Sequence, residues 1–402
     1  MTLPSVLVVG GGIGGLTAAV ALRKLGFDVR VVEQSVVLGS VGAGVTLQCN
    51  GRAVLDALGI ELEPADACAV GSFRALTQRG RVLMDADSGE LELGHPAVSV
   101  HRTALLAALV QALEAAGGGL ELGRKVMVLR NNDDGVDAIF EDGETDRFDV
   151  VLGADGINST ARRCLFGSTG TRYSGQTGWR FAETGLSGAL EGTVERWAPG
   201  RRVGLVPLSD GRVYGYLIRS APAGTASAET STLAHVRGIF GGMDAQLDSL
   251  FDAFAVRAAA GDPPTFHHED LRDQPKLSFG RGRLVLLGDA AHAMTPNLGQ
   301  GASQAIEDAA AVAIALASGG VPPERLADHI DGIRRDRVAA LQKRAWRLGL
   351  LTQWVHPVAV WLRDTAMGGM PRRAAVRQAR TVFTPGLELA DTLGPIVQYR
   401  GG

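Results

Sequence analysis

The chain has 402 residues, more than the roughly 250–300 at which a single hydrophobic core stops growing, so we expect at least two packed regions. Apolar residues make up 46% and charged residues 21%, with 54 glycines, which is typical of an ordered α/β protein and excludes a disordered chain. The formal net charge of -3 and the lack of a basic run interleaved with aromatics exclude nucleic acid as a partner.

The N-terminal segment predicts a strand, a turn, a helix and a second strand. "VLVV" at 6–9 is the first strand, and "DVRVVEQ" is the second, ending at Glu33. Between them, Gly10, Gly12 and Gly15 form a G-x-G-x-x-G pattern. Its glycines serve the turn, the approach of backbone to a pyrophosphate and the packing of helix on strand. With Glu33 placed for ribose hydroxyls, the segment predicts a site for a nicotinamide or flavin dinucleotide.

Two later strands end in the same way as each other. "FDVVLGADG" at 148–156 and "RLVLLGD" at 283–289 are apolar and finish on a glycine and an aspartate. Ligands of an open parallel sheet sit outside the carboxyl ends of its strands, so Asp155 and Asp289 would emerge beside Gly10 if the strands share one sheet. Either turn alone is more often an ordinary turn. The three strand ends together predict one ligand.

The middle of the chain changes character. Residues 171–279 contain alternating patterns such as "RRVGLVPLSDGRVYGYLI", which predict an antiparallel sheet with one covered face, and a hairpin at 72–97 is expected to join it. After residue 302 the pattern is helical as far as about Trp361. The tail "GLLTQWVHPVAVWLRD" is interpreted as a helix packed over the core rather than a membrane contact.

The turn at 296–301 has the features of a platform for a flat ring. Pro296 stiffens the turn, Gly299 and Gly301 clear side chains, and the helix beginning near Ala302 directs its free N–H groups at the ring. Such donors favour a ring that gains negative charge on reduction, as a flavin does.

Other titratable residues receive structural interpretations. Glu307 and Asp308 are expected to be acids favoured early in a helix, and His292 a turn residue. The pair His267 and His268 is expected in a solvated loop, and because it lacks companion ligands we predict no metal site.

Cellular context follows from cysteines and hydropathy. Cys49, Cys68 and Cys164 are odd in number and widely spaced, which favours reduced thiols in the cytoplasm over disulfides or zinc. Glycines interrupt the N-terminal apolar run and no basic segment precedes it, so we interpret it as structure rather than a signal peptide. No run of ~18 apolar residues predicts stable membrane insertion. We expect a cytoplasmic monomer or homodimer.

Four motifs together resemble a known family. "VVGGGIGGLTAAVALRKLG" with Glu33, "VHRTAL" at 100–105, "GADGINSTAR" at 153–162 and "GDAAHAMTPNLGQGASQAIEDA" at 288–309 look like motifs of the single-component FAD-dependent aromatic hydroxylases. They correspond to the dinucleotide fold, the flavin-contacting arginine, the DG motif and the GD motif. Relatives in this family act on salicylate, 3-hydroxybenzoate, urate and carotenoids. The resemblance covers nearly the whole chain and is weakest over 171–279.

The resemblance implies roles for individual residues. Glu33 would bind the adenosine ribose, Arg102 would lie against FAD, and Asp289 would hold hydroxyls of the ribityl or pyrophosphate region. Asp155 and Arg162 belong to a segment that serves both FAD and NAD(P)H, although Arg162 is also open to interpretation as a surface salt-bridge residue. The residues expected to bind FAD are Gly10, Gly12, Gly15, Glu33, Arg102, Asp155, Asp289, Gly299, Gln300 and Gly301.

The substrate side rests on one hairpin. A three-residue loop at 209–211 with Gly211 left-handed pairs Val206 with Tyr214 and brings Arg202 to the face of Tyr214, whereas a two-residue loop separates them. By position these two residues resemble the substrate-binding arginine and tyrosine of the urate hydroxylases, the alternative being ordinary residues of a sheet face. The expected catalytic residues are Arg202, Tyr214 and Pro296.

Two positions depart from the family. Asn297 stands where the urate branch has an aspartate, and since an amide cannot act as a base, urate is disfavoured. Cys49 replaces a proline common in relatives, which affects the shape of that loop.

The resemblance implies an α/β fold with a Rossmann-like FAD domain, an inserted, mainly antiparallel substrate sheet and a helical C-terminal region. The expected FAD domain comprises 1–71, 98–170 and 280–345, with the hairpin 72–97 and segment 171–279 on the substrate side and the helical region at 346–402. The implied function is a monooxygenase that uses NAD(P)H and O₂ to hydroxylate a small aromatic or heteroaromatic molecule through a flavin C4a-hydroperoxide. An epoxidase of an unsaturated substrate, a flavin dehydrogenase or oxidase, and a non-catalytic escort protein remain alternatives.

Overall fold

The computed structural model describes residues 3–39, 44–63, 66–87, 89, 93–186 and 190–400. The helices are α1 (Ile13–Lys24), α2 (Cys49–Ala57), α3 (Arg102–Ala115), α4 (Thr160–Phe166), α5 (Leu233–Phe240), α6 (Ala245–Ala259), α7 (Asp289–His292), α8 (Gly301–Ser318), α9 (Leu326–Thr352), α10 (Pro357–Gly368) and α11 (Arg372–Arg400). The strands are β1 (Val6–Val9), β2 (Val29–Glu33), β3 (Gly44–Leu47), β4 (Ala67–Ala69), β5 (Ser72–Thr77), β6 (Val82–Asp87), β7 (Val98–His101), β8 (Leu120–Leu122), β9 (Val126–Asn131), β10 (Val136–Phe140), β11 (Thr145–Phe148), β12 (Val150–Gly153), β13 (Arg172–Glu183), β14 (Thr193–Ala198), β15 (Arg201–Pro207), β16 (Val213–Ser220), β17 (His267–Asp273), β18 (Gly280–Arg281) and β19 (Leu284–Leu286).

A six-stranded sheet carries the three predicted strand ends. Its order is β18-β19-β12-β1-β2-β8. Strand β1 pairs in parallel with β2 and β12, and β12 pairs in parallel with β19. Because these strands run the same way, the turns after β1, β12 and β19 meet at one edge of the sheet. The predicted convergence of Gly10, Asp155 and Asp289 is confirmed.

A seven-stranded sheet, in the order β17-β13-β16-β15-β14-β5-β6, forms the second layer. Its neighbours are antiparallel except β5 and β14, and the 72–87 hairpin forms one edge of it. One face packs against α5 and α6 around Trp179, Phe181 and Phe254. Side chains alternate between the two faces along each strand. The face opposite α5 and α6 therefore carries Glu195 of β14, Arg202 of β15 and Tyr214 of β16, which line the cavity.

The hairpin β15–β16 has the predicted three-residue register. Val206 pairs with Tyr214, and Arg202 lies four residues before Val206 on the same face. Gly211 has φ of 77°, the left-handed conformation that this loop type requires. The turn chemistry therefore fixed which side chains share a face.

The C-terminal helices cover the space between the two sheets. Helix α11 packs against α2 and α8, and α10 packs against β6. The domain boundary expected between 345 and 346 falls inside α9, because this helix continues unbroken from the first sheet to the second. Within the described ranges, no helix is long and apolar enough to cross a bilayer.

Candidate functional site

A single cavity connects the predicted cofactor and substrate residues. Its volume is about 1850 Å³. Pockets for one small ligand usually occupy ~300–1,000 Å³, so this cavity has room for a dinucleotide and a second molecule. The predicted site residues that line it are Gly10, Gly12, Glu33, Arg102, Asp155, Arg202, Tyr214, Asp289, Pro296, Gly299, Gln300 and Gly301.

Gly15 does not line the cavity, and its role is packing. A Cβ built on Gly15 would lie 2.1 Å from the carbonyl oxygen of Gly10, so only glycine lets α1 approach β1 this closely. At Gly12, by contrast, a Cβ would meet no atom of the described residues within 4 Å. The N-terminus of α1 therefore opens onto the cavity.

The turn after β1 suits a pyrophosphate. Among the described residues, no side chain caps α1 at Gly12, which leaves backbone N–H groups and the positive end of the helix dipole directed at the cavity. Glu33 lies beside this turn. Its Oε2 accepts a hydrogen bond from Gly11 N–H at 2.8 Å, and its Oε1 accepts one from Ser35 N–H at 2.8 Å. These two bonds fix the orientation of the Glu33 carboxylate, which can accept hydrogen bonds from ribose hydroxyls.

Asp155 is shared between the fold and the cavity. Its Oδ2 accepts hydrogen bonds from the N–H groups of Thr160 and Ala161 at 2.6 and 3.1 Å, at the start of α4. Its Oδ1 is buried and has no hydrogen-bond partner in the described part of the chain. Burial raises the pKa of this carboxyl despite those backbone bonds.

Arg162 is neither a surface residue nor a lining residue. Only 4% of it is exposed, and its guanidinium donates to the carbonyl oxygens of Ala290 and Ala291 at 3.1 and 3.2 Å and to that of Lys276. The interpretation as a surface salt bridge was wrong, because α4 turns this side chain inward against α7. Arg162 ties the two Gly–Asp turns together.

Asp289 is the first residue of α7, and it is exposed where it lines the cavity. Burial raises its pKa, and the nearby charges of His292 and Arg102 oppose that shift. Arg102 begins α3 and lines the same part of the cavity. A carboxylate here, with an arginine beside it, suits hydroxyl groups of a bound ligand.

The predicted ring platform is present. Pro296–Leu298 form one 3₁₀ turn, Gly299 follows with φ of 60°, and α8 begins at Gly301. At Gly301 a Cβ would contact none of the described atoms within 4 Å. The side-chain oxygen of Gln300 accepts from Asn50 Nδ2 at 3.0 Å, but the buried Nε2 of Gln300 has no partner among the residues described.

These observations fit FAD. An uncapped helix lies where the pyrophosphate would bind, acceptors lie at the ribose and ribityl positions, and glycines with an unpartnered amide donor lie where the flavin ring would bind. Each region offers the chemistry that the corresponding part of FAD requires.

A buried ionic network lies behind the ring platform. Glu307 and Asp308 are fully buried, and Arg334 of α9 donates to Glu307 Oε2 at 2.5 Å and to Asp308 Oδ1 at 2.8 Å. His292 Nε2 lies 2.6 Å from Asp308 Oδ2. Burial alone would raise the pKa of both carboxyls. The charges of Arg334 and Arg337 nevertheless hold the pKa of Glu307 below its ordinary value. The charges of His292 and Arg334 do the same for the pKa of Asp308.

The network corrects two sequence interpretations. Glu307 and Asp308 do not lie in the first turn of α8, which begins at Gly301. Their carboxylates instead pair with Arg334 of α9. His292 is also more than a turn residue, since it is buried against Asp308. Asp308 Oδ2 further accepts Gly288 N–H at 2.9 Å. The network thus holds the Gly288–Asp289 turn against α8.

Arg202 lines the cavity beside Tyr214 but is not a free cation. It is 2% exposed, and its Nη2 donates to Asn297 Oδ1 at 2.6 Å. Its Nη1 lies 3.9 Å from Glu195 Oε1, so a carboxylate balances its charge. Tyr214 faces the same space, and burial raises its pKa.

Lining residues that sequence reasoning missed include Arg180, Glu195, Tyr216 and Glu269. Arg180 forms an ion pair with Glu269. The alternation in "TGWRFAE" could have placed Arg180 on the cavity face, since its neighbours Trp179 and Phe181 lie in the opposite core. The placement of Glu195 and Tyr216 side by side depends on how β14, β15 and β16 pair, and the local sequence does not indicate that pairing.

The two adjacent histidines lie on strand β17, so the expected solvated loop was wrong. His268 stacks on Trp179 with ring centroids 4.0 Å apart and hydrogen-bonds the hydroxyls of Thr177 and Thr230. Burial lowers the pKa of His268 to about 4, so it is neutral at pH 7. No group of potential metal ligands occurs within the described ranges.

The parallel sheet, its glycine turn and the cavity define a dinucleotide-binding flavoprotein with an inserted substrate sheet. The family model described as "FAD binding domain" matches residues 4–345, and the chain belongs to this family. Its relatives are FAD-dependent monooxygenases, so the chain is an enzyme of this type, as the four motifs predicted.

Two relatives match over nearly their whole length. Aurachin C monooxygenase/isomerase of Stigmatella aurantiaca is 34% identical over 395 residues, which cover 95% of this chain and 98% of that protein. The 2-heptyl-3-hydroxy-4(1H)-quinolone synthase of Pseudomonas aeruginosa is 30% identical over 392 residues, covering 96% and 99%. The structure of Klebsiella pneumoniae HpxO complexed with FAD and uric acid has a TM-score of 0.82 at 24% identity, with 97% and 96% covered, and shows the shared fold.

Proposed function

We propose that this monooxygenase uses NAD(P)H and O₂ to hydroxylate a neutral nitrogen heteroaromatic ring that carries an apolar side chain, of the 2-alkyl-4(1H)-quinolone class. Support comes from the relative named for a 2-heptyl-3-hydroxy-4(1H)-quinolone, which is alignable over 99% of its length. The observation that carries the proposal is the pairing of charge in the cavity.

The buried Arg202 and the partly exposed Arg180 line the cavity from the large sheet, and each has an acidic partner. Arg202 is balanced by Glu195, and Arg180 is paired with Glu269. Binding an anionic ring there would require one of these pairs to separate in a buried site, which costs free energy. A neutral ring with one donor and one acceptor avoids that cost.

The cavity also extends beyond the polar sheet face. It continues between the β5–β6 edge and the C-terminal helices, where apolar side chains lie beside Asp85, Arg344 and Arg347. Its apolar lining in this region includes Phe73, Met84, Leu348, Met367, Met370 and Phe383. An alkyl chain would bury its surface here at about 25 cal/mol per Å².

Different residues of the cavity would bind different parts of FAD. The α1 N-terminus and Glu33 would hold the adenosine part of FAD, Asp289 its ribityl region, and the Pro296–Gly301 platform its ring. Bound FAD, once reduced by NAD(P)H, supplies an activated oxygen from O₂. The enclosing helices keep water from the ring platform. The three cysteines are unpaired, which supports a reducing, cytoplasmic location. A monomer or homodimer remains our prediction.

The proposal is tested by adding 2-heptyl-4(1H)-quinolone to the FAD-loaded protein with NADH or NADPH. We expect accelerated nicotinamide oxidation and a product one oxygen heavier. Salicylate, an anion, serves as the comparison and should stimulate oxidation less. Stimulation by salicylate alone would contradict a neutral substrate, and a product without added oxygen would indicate a dehydrogenase or oxidase. An epoxide formed from an alkenyl analogue would favour the epoxidase alternative.

A further inference from the structure

Three residues in register across β14, β15 and β16 form a row on the cavity face of the large sheet. Glu195 pairs with Gly204, and Gly204 pairs with Tyr216. A Cβ on Gly204 would lie 2.0 Å from Tyr216 Cζ and 2.4 Å from its hydroxyl oxygen. The tyrosine ring therefore lies across the middle strand, and only a glycine there allows it. In that position the Tyr216 hydroxyl donates a hydrogen bond to Glu195 Oε1.

The Glu195 carboxylate is fully engaged by groups of the cavity wall. It is 6% exposed, and its Oε2 accepts a hydrogen bond from Trp197 Nε1 at 2.7 Å. Arg202 Nη1 lies 3.9 Å from Oε1. The remaining lone pair of the Tyr216 oxygen is available to a ligand in the cavity, because its proton is already directed at Glu195.

Arg202 lies beside Glu195, Tyr214 beside Tyr216 and Arg363 against Trp197, while Arg344 and Arg347 of α9 line the same cavity. Tyr214 on β16 has its ring centroid 5.8 Å from that of Tyr216. From α10, Arg363 lies over the Trp197 ring and is paired with Asp364. Burial and the adjacent Glu195 charge keep the pKa of Tyr216 well above its ordinary value, so its hydroxyl stays protonated and can both accept and donate.

This row offers a proton acceptor, which the ring platform at 296–301 lacks. Asn297 cannot accept a proton, and its side chain is committed: Oδ1 accepts from Arg202, while Nδ2 donates to Thr295 Oγ1 and the Ala345 carbonyl at 3.0 Å each. Adding an electrophilic oxygen to a heteroaromatic ring makes its N–H or O–H strongly acidic, and a proton acceptor is needed on the ring's edge.

We propose that Tyr216 contacts the ring N–H or O–H of the substrate and relays its proton to Glu195. The inference rests on the proposed function. As the ring's electron pair forms the new C–O bond, the O–O bond of the oxygen that the reduced cofactor would supply breaks, and its electron pair stays on the cofactor side. The ring proton passes to the Tyr216 oxygen and the Tyr216 proton passes to Glu195 Oε1. Glu195 becomes neutral and returns the proton to solvent after product leaves.

The test compares variants of the FAD-loaded protein with 2-heptyl-4(1H)-quinolone and its N-methyl analogue. Tyr216→Phe removes one oxygen atom and keeps the ring over Gly204. Glu195→Gln keeps a hydrogen-bond acceptor but cannot take up a proton. For the N–H compound we expect both variants to bind it within about threefold of wild type and to lose about 100-fold in kcat/KM for product formation, the lower end of general-base effects. NAD(P)H consumption should continue, with the reducing equivalents released as hydrogen peroxide.

Two further readouts separate a relay from a structural role. The acidic limb of the pH profile of kcat/KM should disappear in Glu195→Gln and Tyr216→Phe, and both should lose the preference for the N–H over the N-methyl compound. Tyr173→Phe is the matched control, because it removes a tyrosine hydroxyl of the same sheet that donates to the Ala221 carbonyl and does not line the cavity. It should keep the acidic limb and the product yield per NAD(P)H. FAD content and thermal unfolding report on folding, and Tyr216→Phe decides the question if Glu195→Gln loses FAD.

The outcomes separate this inference from the proposed function. If the unmodified protein hydroxylates neither compound, the proposed function and the relay both fail. If it hydroxylates the N–H compound while Tyr216→Phe retains wild-type yield and pH dependence, the relay alone is overturned. The same holds if Tyr173→Phe loses yield as severely as Tyr216→Phe, since removing any tyrosine hydroxyl of this sheet would then have the same effect.

Discussion

Replacing Arg334 by methionine tests whether the ionic network behind the ring platform holds the two Gly–Asp turns in place. The substitution keeps a long side chain but removes the bonds to Glu307 and Asp308, and a further one to the side-chain oxygen of Gln304 at 2.9 Å. Arg337 still pairs with Glu307, whereas Asp308 keeps only His292 and a backbone N–H. A fully buried carboxylate therefore loses its permanent cation.

The expected cost is about 3–5 kcal/mol, the range found when one partner of a buried ion pair is removed. Arg335→Met is the matched control on the same helix, because Arg335 is half exposed and pairs with Asp331 on the surface. Exposed pairs contribute about 0–1 kcal/mol. Urea unfolding of the FAD-loaded protein at pH 7.5 gives both values. Adding Asp308→Asn to Arg334→Met should recover part of the loss, since an amide costs less to bury than a charge.

The reasoning is refuted if Arg334→Met and Arg335→Met differ by less than about 1 kcal/mol, because burial would then have no energetic consequence. Weaker FAD binding in Arg334→Met, with no change in Arg335→Met, would further connect the network to the Gly288–Asp289 turn.

Three further predictions concern individual groups. Asp289→Ala should weaken FAD binding about 10- to 100-fold, because hydrogen bonds involving a charged group contribute ~1.5–3 kcal/mol; a flavin fluorescence titration that returns wild-type affinity would remove Asp289 from the site. Glu307 and Asp308 have folded-state pKa values below their ordinary ones, so their stabilisation should be complete above about pH 5 and lost as the pH falls below about 4. Glu307→Gln with Asp308→Asn should flatten that dependence in acid unfolding curves. Arg202→Leu should lower kcat/KM for 2-heptyl-4(1H)-quinolone by an amount equivalent to ~2–4 kcal/mol, because Glu195 loses its cation, while FAD content is unchanged, and Tyr214→Phe should be milder; full activity in both would place the substrate elsewhere.

The cofactor half of the molecule was predictable because its signals are local. The glycine turn after "VLVV", the two Gly–Asp strand ends and the Pro296–Gly301 turn each combine a short apolar strand with residues of defined backbone geometry. Parallel pairing then brings their ends together. The β15–β16 register was predictable for the same reason, since a loop with a left-handed Gly211 admits one pairing.

The rest depends on contacts between distant segments. Glu307 and Asp308 were interpreted as acids favoured early in a helix because their partner Arg334 lies 26 residues beyond Asp308 on another helix. The row of Glu195, Gly204 and Tyr216 forms only when β14 pairs with β15. The sequence around Gly204 does not indicate that the Tyr216 ring lies over this residue. His267 and His268 looked like a loop because the partners of His268, Thr177 and Thr230, lie in other segments.

The most direct test of the central claim follows the oxygen atom. FAD-loaded protein, NAD(P)H and 2-heptyl-4(1H)-quinolone are incubated under ¹⁸O₂ in ordinary water, and in parallel under ordinary O₂ in H₂¹⁸O, before mass analysis of the product. A monooxygenase predicts one labelled atom in the product from ¹⁸O₂ and none from labelled water. Product that carries label only from water, or turnover that adds no oxygen, would contradict the account.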